Sequence, residues 1–352
     1  MNINDIFRNI DINVAPLVPG VEHTNFFFFG CWNKNRNVTR QIIDMINTDD
    51  LIQFGLVNGD NFYPDKIPND EKKKDGEKKK DGEKKKDGEK KKKEYILDNV
   101  TAGFDILKTF RKQIYLGLGN HEVDNPSACL TLFKERNEAF ASNLHIPTNY
   151  YCVNVYRNNI KIAKVLIIDT NLFEDNRCYS EESRNEEKLR MLRWLDNQIK
   201  TDLCIIMGHY PLFYYNKHNE FVIEPSTLEL LDLILRNRNN IYYFASDKHC
   251  FQDIIHENIH QIIVGTGGAD LDNIPEHTNE IKRVDDNPNK EFRIISTFTS
   301  YGYLTVSINA EQRLSFDFIR IDAPHPLAGG SKINMLNKRK YLKYFYKNKK
   351  VT

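Results

Sequence analysis

LIQFGLVNGDNFY, residues 51–63, is an apolar run that ends in a glycine, a carboxylate and a phenol. The run Leu51 to Val57 reads as a buried strand. Asp60 stands on the loop that leaves it, with Gly59 to permit the turn, so the carboxylate is placed to bridge two metal ions while Tyr63 reaches one of them. Taken alone, Gly-Asp is also one of the commonest turn dipeptides. The metal reading gains because the same arrangement, an apolar strand followed by ligand-type side chains, recurs along the chain.

Upstream, Phe26 to Phe29 is a four-residue aromatic strand closed by Gly30, which delivers Cys31-Trp32-Asn33 onto a loop. Val38, Ile42, Ile43 and Ile46 follow at helical spacing and complete a first βαβ unit with the Leu51–Val57 strand. Downstream, Tyr95 to Phe110 has helical spacing, and Ile114 to Leu118 is a short strand ending in Gly119-Asn120-His121-Glu122. Tyr150–Tyr156 and Ile160–Ile168 read as strands, and Leu189, Leu192, Trp194, Leu195 and Ile199 form the apolar face of a helix. Leu203 to Met207 is a strand ending in Gly208-His209-Tyr210-Pro211. Thr227 to Leu235 is helical, and Ile241 to Ala245 is a strand ending in Ser246-Asp247-Lys248-His249. Ile262–Val264, Tyr303–Ile308 and Leu314–Ile319 are further strands. Alternating β and α segments followed by strands describe one α/β layered domain.

Five of these strands are followed by loops bearing Cys31, Asp60 with Tyr63, Asn120 with His121, His209, and Asp247 with His249. In an open α/β sheet, loops at the carboxyl ends of strands converge on one crevice. Thiol, carboxylate, phenol, amide and imidazole together suit a pair of borderline or transition metal ions.

The chain has 352 residues, with 50 basic and 49 acidic side chains and 40% hydrophobic content. That near balance supports neither a nucleic-acid nor an anionic-membrane partner, and the expectation is a monomer. No apolar window reaches the length of a membrane span and the first twenty residues lack a secretory pattern. The six cysteines show no CxxC pair, which suits a reducing compartment, so the expected location is cytoplasmic. Residues 1–23 read as an irregular lead-in. The EKKKDG repeats at 71–93 have nothing to bury and read as a disordered insertion in a surface loop, with a polyanion-binding arm as the alternative. Residues 323–352 read as a basic tail.

GDNFY at Gly59–Tyr63, GNHE at Gly119–Glu122 and GHYP at Gly208–Pro211, in this order, resemble the calcineurin-like metallophosphoesterases. Among these the resemblance is closest to the small purple acid phosphatases of the tartrate-resistant type, which Tyr63 marks, and it runs from about Phe26 to about Ile319. It implies a four-layer α/β/β/α sandwich, here a single domain over residues 24–322. It also implies two metal ions (iron, zinc or manganese) that share Asp60. One is held by the motif-one position (Cys31) with Asp60, Tyr63 and His249. The other is held by Asp60, Asn120, His209 and the first residue of the last motif, Asp247. His121 contacts the phosphate or protonates the leaving oxygen, and His218 stands where the family has a second substrate-contacting histidine.

Two positions depart from the family. GCWN replaces GDWG, putting Cys31 in place of an aspartate, and SDKH replaces GHxH, putting Asp247 in place of a histidine. Thiolate and carboxylate both bind divalent metals, but the cluster gains one negative charge, which Lys248 can offset. The expected activity is hydrolysis of a phosphomonoester, on a small molecule or a phosphoprotein, by a dimetal-bound hydroxide. The alternative is a pseudophosphatase, a binding scaffold whose metal site has degenerated at Cys31 and Asp247.

Overall fold

A strand can bury every residue of a four-phenylalanine run only if both of its faces are covered. The computed structural model describes residues 11–14, 23–61, 63, 101–124, 143–175, 178–200, 203–218, 220–237, 239–283 and 291–321. In it Phe26 to Phe29 are all fully buried. They lie on β2 (Thr24–Gly30), between β3 (Ile52–Asn58) and β16 (Tyr301–Ile308). The full sheet has six strands in the order β17 (Leu314–Ile321), β16, β2, β3, β4 (Gln113–Gly117) and β5 (Leu144–His145), with β2 to β5 parallel.

The second sheet has nine strands. Its order is β1 (Asp11–Val14), β6 (Tyr151–Arg157), β7 (Ile160–Ile167), β8 (Cys204–Met207), β11 (Ile241–Ala245), β13 (Ile259–Val264), β12 (Phe251–His256), β15 (Glu291–Phe298) and β14 (His277–Arg283). Strands β7, β8, β11 and β13 are parallel. A separate hairpin joins β9 (Phe213–Tyr215) to β10 (Phe221–Ile223).

Alternation along β2 sends successive rings to opposite faces. Phe28 packs 5.0 Å from Phe244 of the other sheet, centroid to centroid, whereas Phe27 stacks 5.1 Å from Phe110 on the outer side. That outer side is covered by α1 (Arg36–Thr48), which buries Val38, Ile42, Ile43 and Ile46, and by α2 (101–107), which buries Phe104 and Leu107. A one-turn helix, α3 (Asn120–Val123), follows β4. On the far face of the nine-stranded sheet, α4 (Glu181–Gln198) and α5 (Leu228–Leu235) lay Met191, Leu192, Leu195, Leu230 and Ile234 against Cys204, Ile206 and Tyr243. The result is a four-layer α/β/β/α sandwich. Each buried phenyl ring contributes about 1.5–3 kcal/mol, so the aromatic strand is a large part of what holds the two sheets together.

Three expectations change. The lead-in at 1–23 contains β1, which pairs in parallel with β6; four residues whose partner lies far along the chain carry no local signal. Leu189 is 46% exposed, and Met191 takes its place on the buried face of α4. Cys178 is disulfide-bonded, while Cys31, Cys152, Cys204 and Cys250 are free and buried. No second cysteine stands within three residues of Cys178, so local spacing gave no sign of the bond. No helix among the described residues is long and apolar enough to cross a membrane. The insertion at 71–93 and the tail at 323–352 lie outside the described residues.

Candidate metal centre

Strands β2, β3 and β4 of one sheet and β8 and β11 of the other end on the same rim, and hydrogen bonds tie the rim together across the sheets. Asn58 Nδ2 donates to Gly208 O at 2.8 Å, and Ser246 Oγ donates to Asn58 O at 2.5 Å. Within the first sheet, Cys31 N donates to Gly59 O at 3.2 Å and Trp32 Nε1 to Asn61 Oδ1 at 3.0 Å, fastening the first two loops to each other. The turn that presents Asp60 needs glycine. Gly59 has φ +67°, and a Cβ there would stand 2.5 Å from His209 Nδ1. Cys31 (φ 50°) and Asp60 (φ 51°) are themselves left-handed, a conformation that costs non-glycine residues energy and that concentrates at functional sites.

Asp60 is the centre of the arrangement, and its two oxygens face different partners. Oδ1 lies 3.4 Å from His209 Nε2 and accepts from His121 N at 3.2 Å. Oδ2 accepts from Tyr63 Oη at 3.0 Å and lies 3.6 Å from Cys31 Sγ. On the first side, His209 Nε2 is also 3.1 Å from Asn120 Oδ1 and 3.7 Å from Asp247 Oδ1. On the second, Tyr63 Oη is 3.1 Å from His249 Nε2. The Cys31 sulfur and ligand atoms of Asp60 and His209 all lie within 4.8 Å of one another, and all three residues are buried.

Neighbours set the ring tautomers. His249 Nδ1 is 2.7 Å from Asp270 O, an acceptor only, so Nδ1 carries hydrogen and Nε2 faces the site. Ser246 gives its one hydrogen to Asn58 O, so it accepts from His209 Nδ1 at 3.1 Å and again leaves Nε2 toward the site. This is how metal-binding histidines are commonly oriented. Around His209 Nε2 stand three oxygens, Asn120 Oδ1, Asp60 Oδ1 and Asp247 Oδ1, at 3.1, 3.4 and 3.7 Å, a nitrogen–oxygen donor set of a kind that suits a divalent cation.

Glu122 lies beneath the ligand loops. Its carboxylate accepts from Gly119 N at 2.7 Å, Asp60 N at 3.0 Å and Asn61 N at 2.6 Å, clamping the second and third loops together. Burial and the Asp60 charge push its carboxyl up to about 8, against the three N–H donors that favour the anion. Burial also opposes ionisation of Asp60, but the neighbouring His209 and His121, with hydrogen bonds from His121 N and Tyr63 Oη, outweigh it and hold that carboxyl below its ordinary value. Burial, then the charges of Asp60 and Asp247, raise the Cys31 thiol well above its usual range. Burial, then Cys31 and Asp60, do the same to Tyr63. Lys248 Nζ is 2.6 Å from Asp247 Oδ2 and 3.9 Å from Glu224, so the extra carboxylate of the last loop has a cationic partner.

A family model described as calcineurin-like phosphoesterase matches residues 24–251. The chain belongs to that family. Metal-dependent phosphoester hydrolysis is therefore its general class of chemistry. Among solved structures, this calcineurin-like phosphoesterase is similar to GAP50, "the anchor in the inner membrane complex of Plasmodium", with a TM-score of 0.54 at 13% identity over 85% of each chain. It is also similar to PhoD, with a TM-score of 0.53 at 14% identity over 87% of this chain and 67% of that one. At such identities the likeness concerns the fold. No curated protein gives a significant match.

The phosphoesterase fold brings Cys31, Asp60, Tyr63, Asn120, His121, His209, Asp247 and His249 together. His218 stays apart: it is exposed in the turn between β9 and β10, where its N–H donates to Asn216 Oδ1 at 2.9 Å. Sequence reasoning assigned no part to Glu122, Ser246, Asp270 or Asp272, the last of which accepts from His249 N at 2.8 Å. For Glu122 a signal existed, since a glutamate three residues after a helix cap reaches back to backbone N–H groups. For Ser246 and the 270–272 loop there was none.

Proposed function

We propose that this calcineurin-like phosphoesterase hydrolyses phosphomonoesters at a two-cation site bridged by Asp60, in the manner of the tartrate-resistant purple acid phosphatases. The supporting observation is the division of Asp60, with Oδ1 facing His209 and Oδ2 facing Tyr63 and Cys31. Asp60, Tyr63, His249 and Cys31 hold one cation, and Asp60, Asn120, His209 and Asp247 hold the other. Iron, zinc or manganese bound there supplies an activated water and charge to hold the phosphoryl oxygens. Cys31 makes a ferric–tyrosinate pair a poor choice, because a thiol beside ferric iron is open to oxidation.

His121 is the group that moves a proton. Its side chain is 30% exposed where that of Asp60 is 3% exposed, its Nε2 is 4.0 Å from Asp60 Oδ2, and its ring lies 4.6 Å from that of Tyr63. From this mouth position it protonates the leaving oxygen. His218 receives no step, because its contact stays within its own turn. The substrate class is a phosphorylated small molecule or phosphoprotein, acted on by a monomer; the near-neutral chain supports neither nucleic acid nor membrane. The Cys178 disulfide favours an oxidising compartment over the expected cytoplasm.

The second reading is a binding scaffold with a degenerate site. One observation favours it: Cys31 Sγ donates to Ser246 O at 3.2 Å and so is engaged away from any cation. GAP50, a fold relative, is described as an anchor. Hydrolysis assays on protein loaded with Mn2+, Zn2+ or Fe2+ separate the readings, using 4-nitrophenyl phosphate and its bis-ester. Faster hydrolysis of the monoester, abolished by chelator, is expected. Preference for the diester contradicts the monoester assignment, and no turnover of either at full metal occupancy favours the scaffold.

A further inference from the structure

We infer that Lys248 gives this site its preference for a dianionic phosphoryl group, by cancelling the charge of the Asp247 carboxylate. The inference rests on the phosphoester reading above and deepens it, since a phosphomonoester above its second pKa carries two negative charges and a diester one.

An anion has to enter here past an acidic wall. Asp60 is buried at the centre, and Asp247 stands beside it, its side chain 17% exposed and its Oδ1 3.7 Å from His209 Nε2. Asp247 N donates to His209 O at 3.0 Å, so the backbone itself keeps this carboxylate at the rim. Glu224, between β10 and α5, is 13% exposed and accepts from Ser226 Oγ at 3.2 Å with Oε1. Partly buried charges are screened by salt much less than surface ones, so these carboxylates repel an incoming phosphate.

Lys248 lies between them. Its Nζ is 2.6 Å from Asp247 Oδ2, 3.9 Å from Glu224 Oε2 and 4.5 Å from the centroid of the Tyr214 ring. The loop after β11, the β10–α5 connection and the β9–β10 hairpin thus all help to fix the ammonium beside Asp247. Lys34, the cation of the first loop, pairs with Asp270 in the open, with side chains 42% and 76% exposed, where water and salt screen it.

A unit charge about 6 Å from the phosphoryl group, at a dielectric constant of about 80, changes affinity about threefold for a monoanion and about tenfold for a dianion. Removing the ammonium therefore weakens both anions, the dianion more, and does not weaken a bound cation. A lysine that only propped the Asp247 side chain would act otherwise. Its removal would loosen the cation and affect the two anions alike.

Calorimetry on the zinc-loaded full chain reads this without turnover, with inorganic phosphate at mildly alkaline pH as the dianion and dimethyl phosphate as the monoanion. In Lys248→Met, phosphate affinity is expected to fall about tenfold and dimethyl phosphate affinity about threefold, with zinc content by mass spectrometry undiminished. Lys248→Arg keeps the charge and the wild-type affinities. Asp247→Asn tightens phosphate at equal zinc content, and Asp247→Asn with Lys248→Met returns to about the wild-type value, one charge of each sign having been removed. Equal losses for the two anions, zinc lost from Lys248→Met, or a double variant that matches Asp247→Asn alone overturns the inference, as does a zinc-loaded wild type that binds no phosphate. Lys248→Gln serves if Lys248→Met fails to fold. Charge-graded binding without hydrolysis of 4-nitrophenyl phosphate upholds this inference and contradicts the proposed function, whereas hydrolysis with phosphate affinity unaltered in Lys248→Met does the reverse.

Discussion

Replacing Glu122 by alanine should damage the fold more than its place one turn into a four-residue helix suggests. The side chain is 2% exposed and its two oxygens satisfy three backbone N–H groups, those of Gly119, Asp60 and Asn61. A buried donor left without a partner costs about 1–3 kcal/mol, so three orphaned donors cost at least about 3 kcal/mol. Glu122→Gln keeps the shape and one oxygen, which can serve Gly119 and Asp60 while the amide nitrogen faces Asn61 N; one donor is lost, about 1–3 kcal/mol. Urea denaturation followed by circular dichroism measures both, and the midpoint should fall for each variant, further for alanine. The variants should also differ in pH dependence. The folded carboxyl titrates at about 8 instead of 4.5, so it retains a proton that the unfolded chain has lost. Its contribution is present in full below about 4.5 and disappears as pH rises through about 8, a decline that Glu122→Gln lacks. A loss below about 1 kcal/mol for alanine would refute the clamp, and parallel pH profiles for wild type and glutamine would refute the upward push on the carboxyl by burial and the Asp60 charge.

Three further changes probe the same loops. Ser246→Ala removes the acceptor that fixes the His209 ring, and zinc affinity by equilibrium dialysis should fall about tenfold; because the hydroxyl also donates to Asn58 O, thermal unfolding should show a loss of about 1–3 kcal/mol as well, and unaltered affinity contradicts the orienting role. Gly59→Ala places a methyl group 2.5 Å from His209 Nδ1 at φ +67°, so thermal unfolding should show a loss of about 1–3 kcal/mol or more, and a wild-type melting curve refutes the close approach. Restoring the family residues with Cys31→Asp and Asp247→His together should speed hydrolysis of an aryl phosphate, more than either change alone because ligands of one cluster act as a unit; equal rates at equal metal content count against both positions.

Much of this was legible because burial leaves a plain mark. The strands beginning near Phe26, Ile52, Ile114, Cys204 and Ile241 are covered on both faces and read as largely apolar runs, although Leu51, read as the start of the second, is 59% exposed and lies outside it; each run is followed by a loop with a ligand-type residue. What escaped was structure whose partners are remote. Strand β12 reads FQDIIH, and its polar residues suggest a loop, yet Gln252 is buried with its amide bonded to both the N–H and the carbonyl of Tyr215, at 2.8 and 2.9 Å. Asp253 is likewise held by His260 at 2.6 Å. The edge strand β14, HTNEIKR, is mostly solvated and carries no apolar run. In the site, the ligand-type residues could be picked out by type and order. The supports could not: Ser246 and the carbonyl of Asp270 act through geometry alone.

The most direct test of the central claim is the metal content of Asp60→Asn beside that of wild type, measured by mass spectrometry after equilibration with excess Zn2+ and gel filtration. One carboxylate faces both halves of the site, through Oδ1 to His209 and Oδ2 to Tyr63. Two equivalents in wild type and none retained in Asp60→Asn are the expected result. Two equivalents retained in Asp60→Asn would contradict a shared ligand at Asp60.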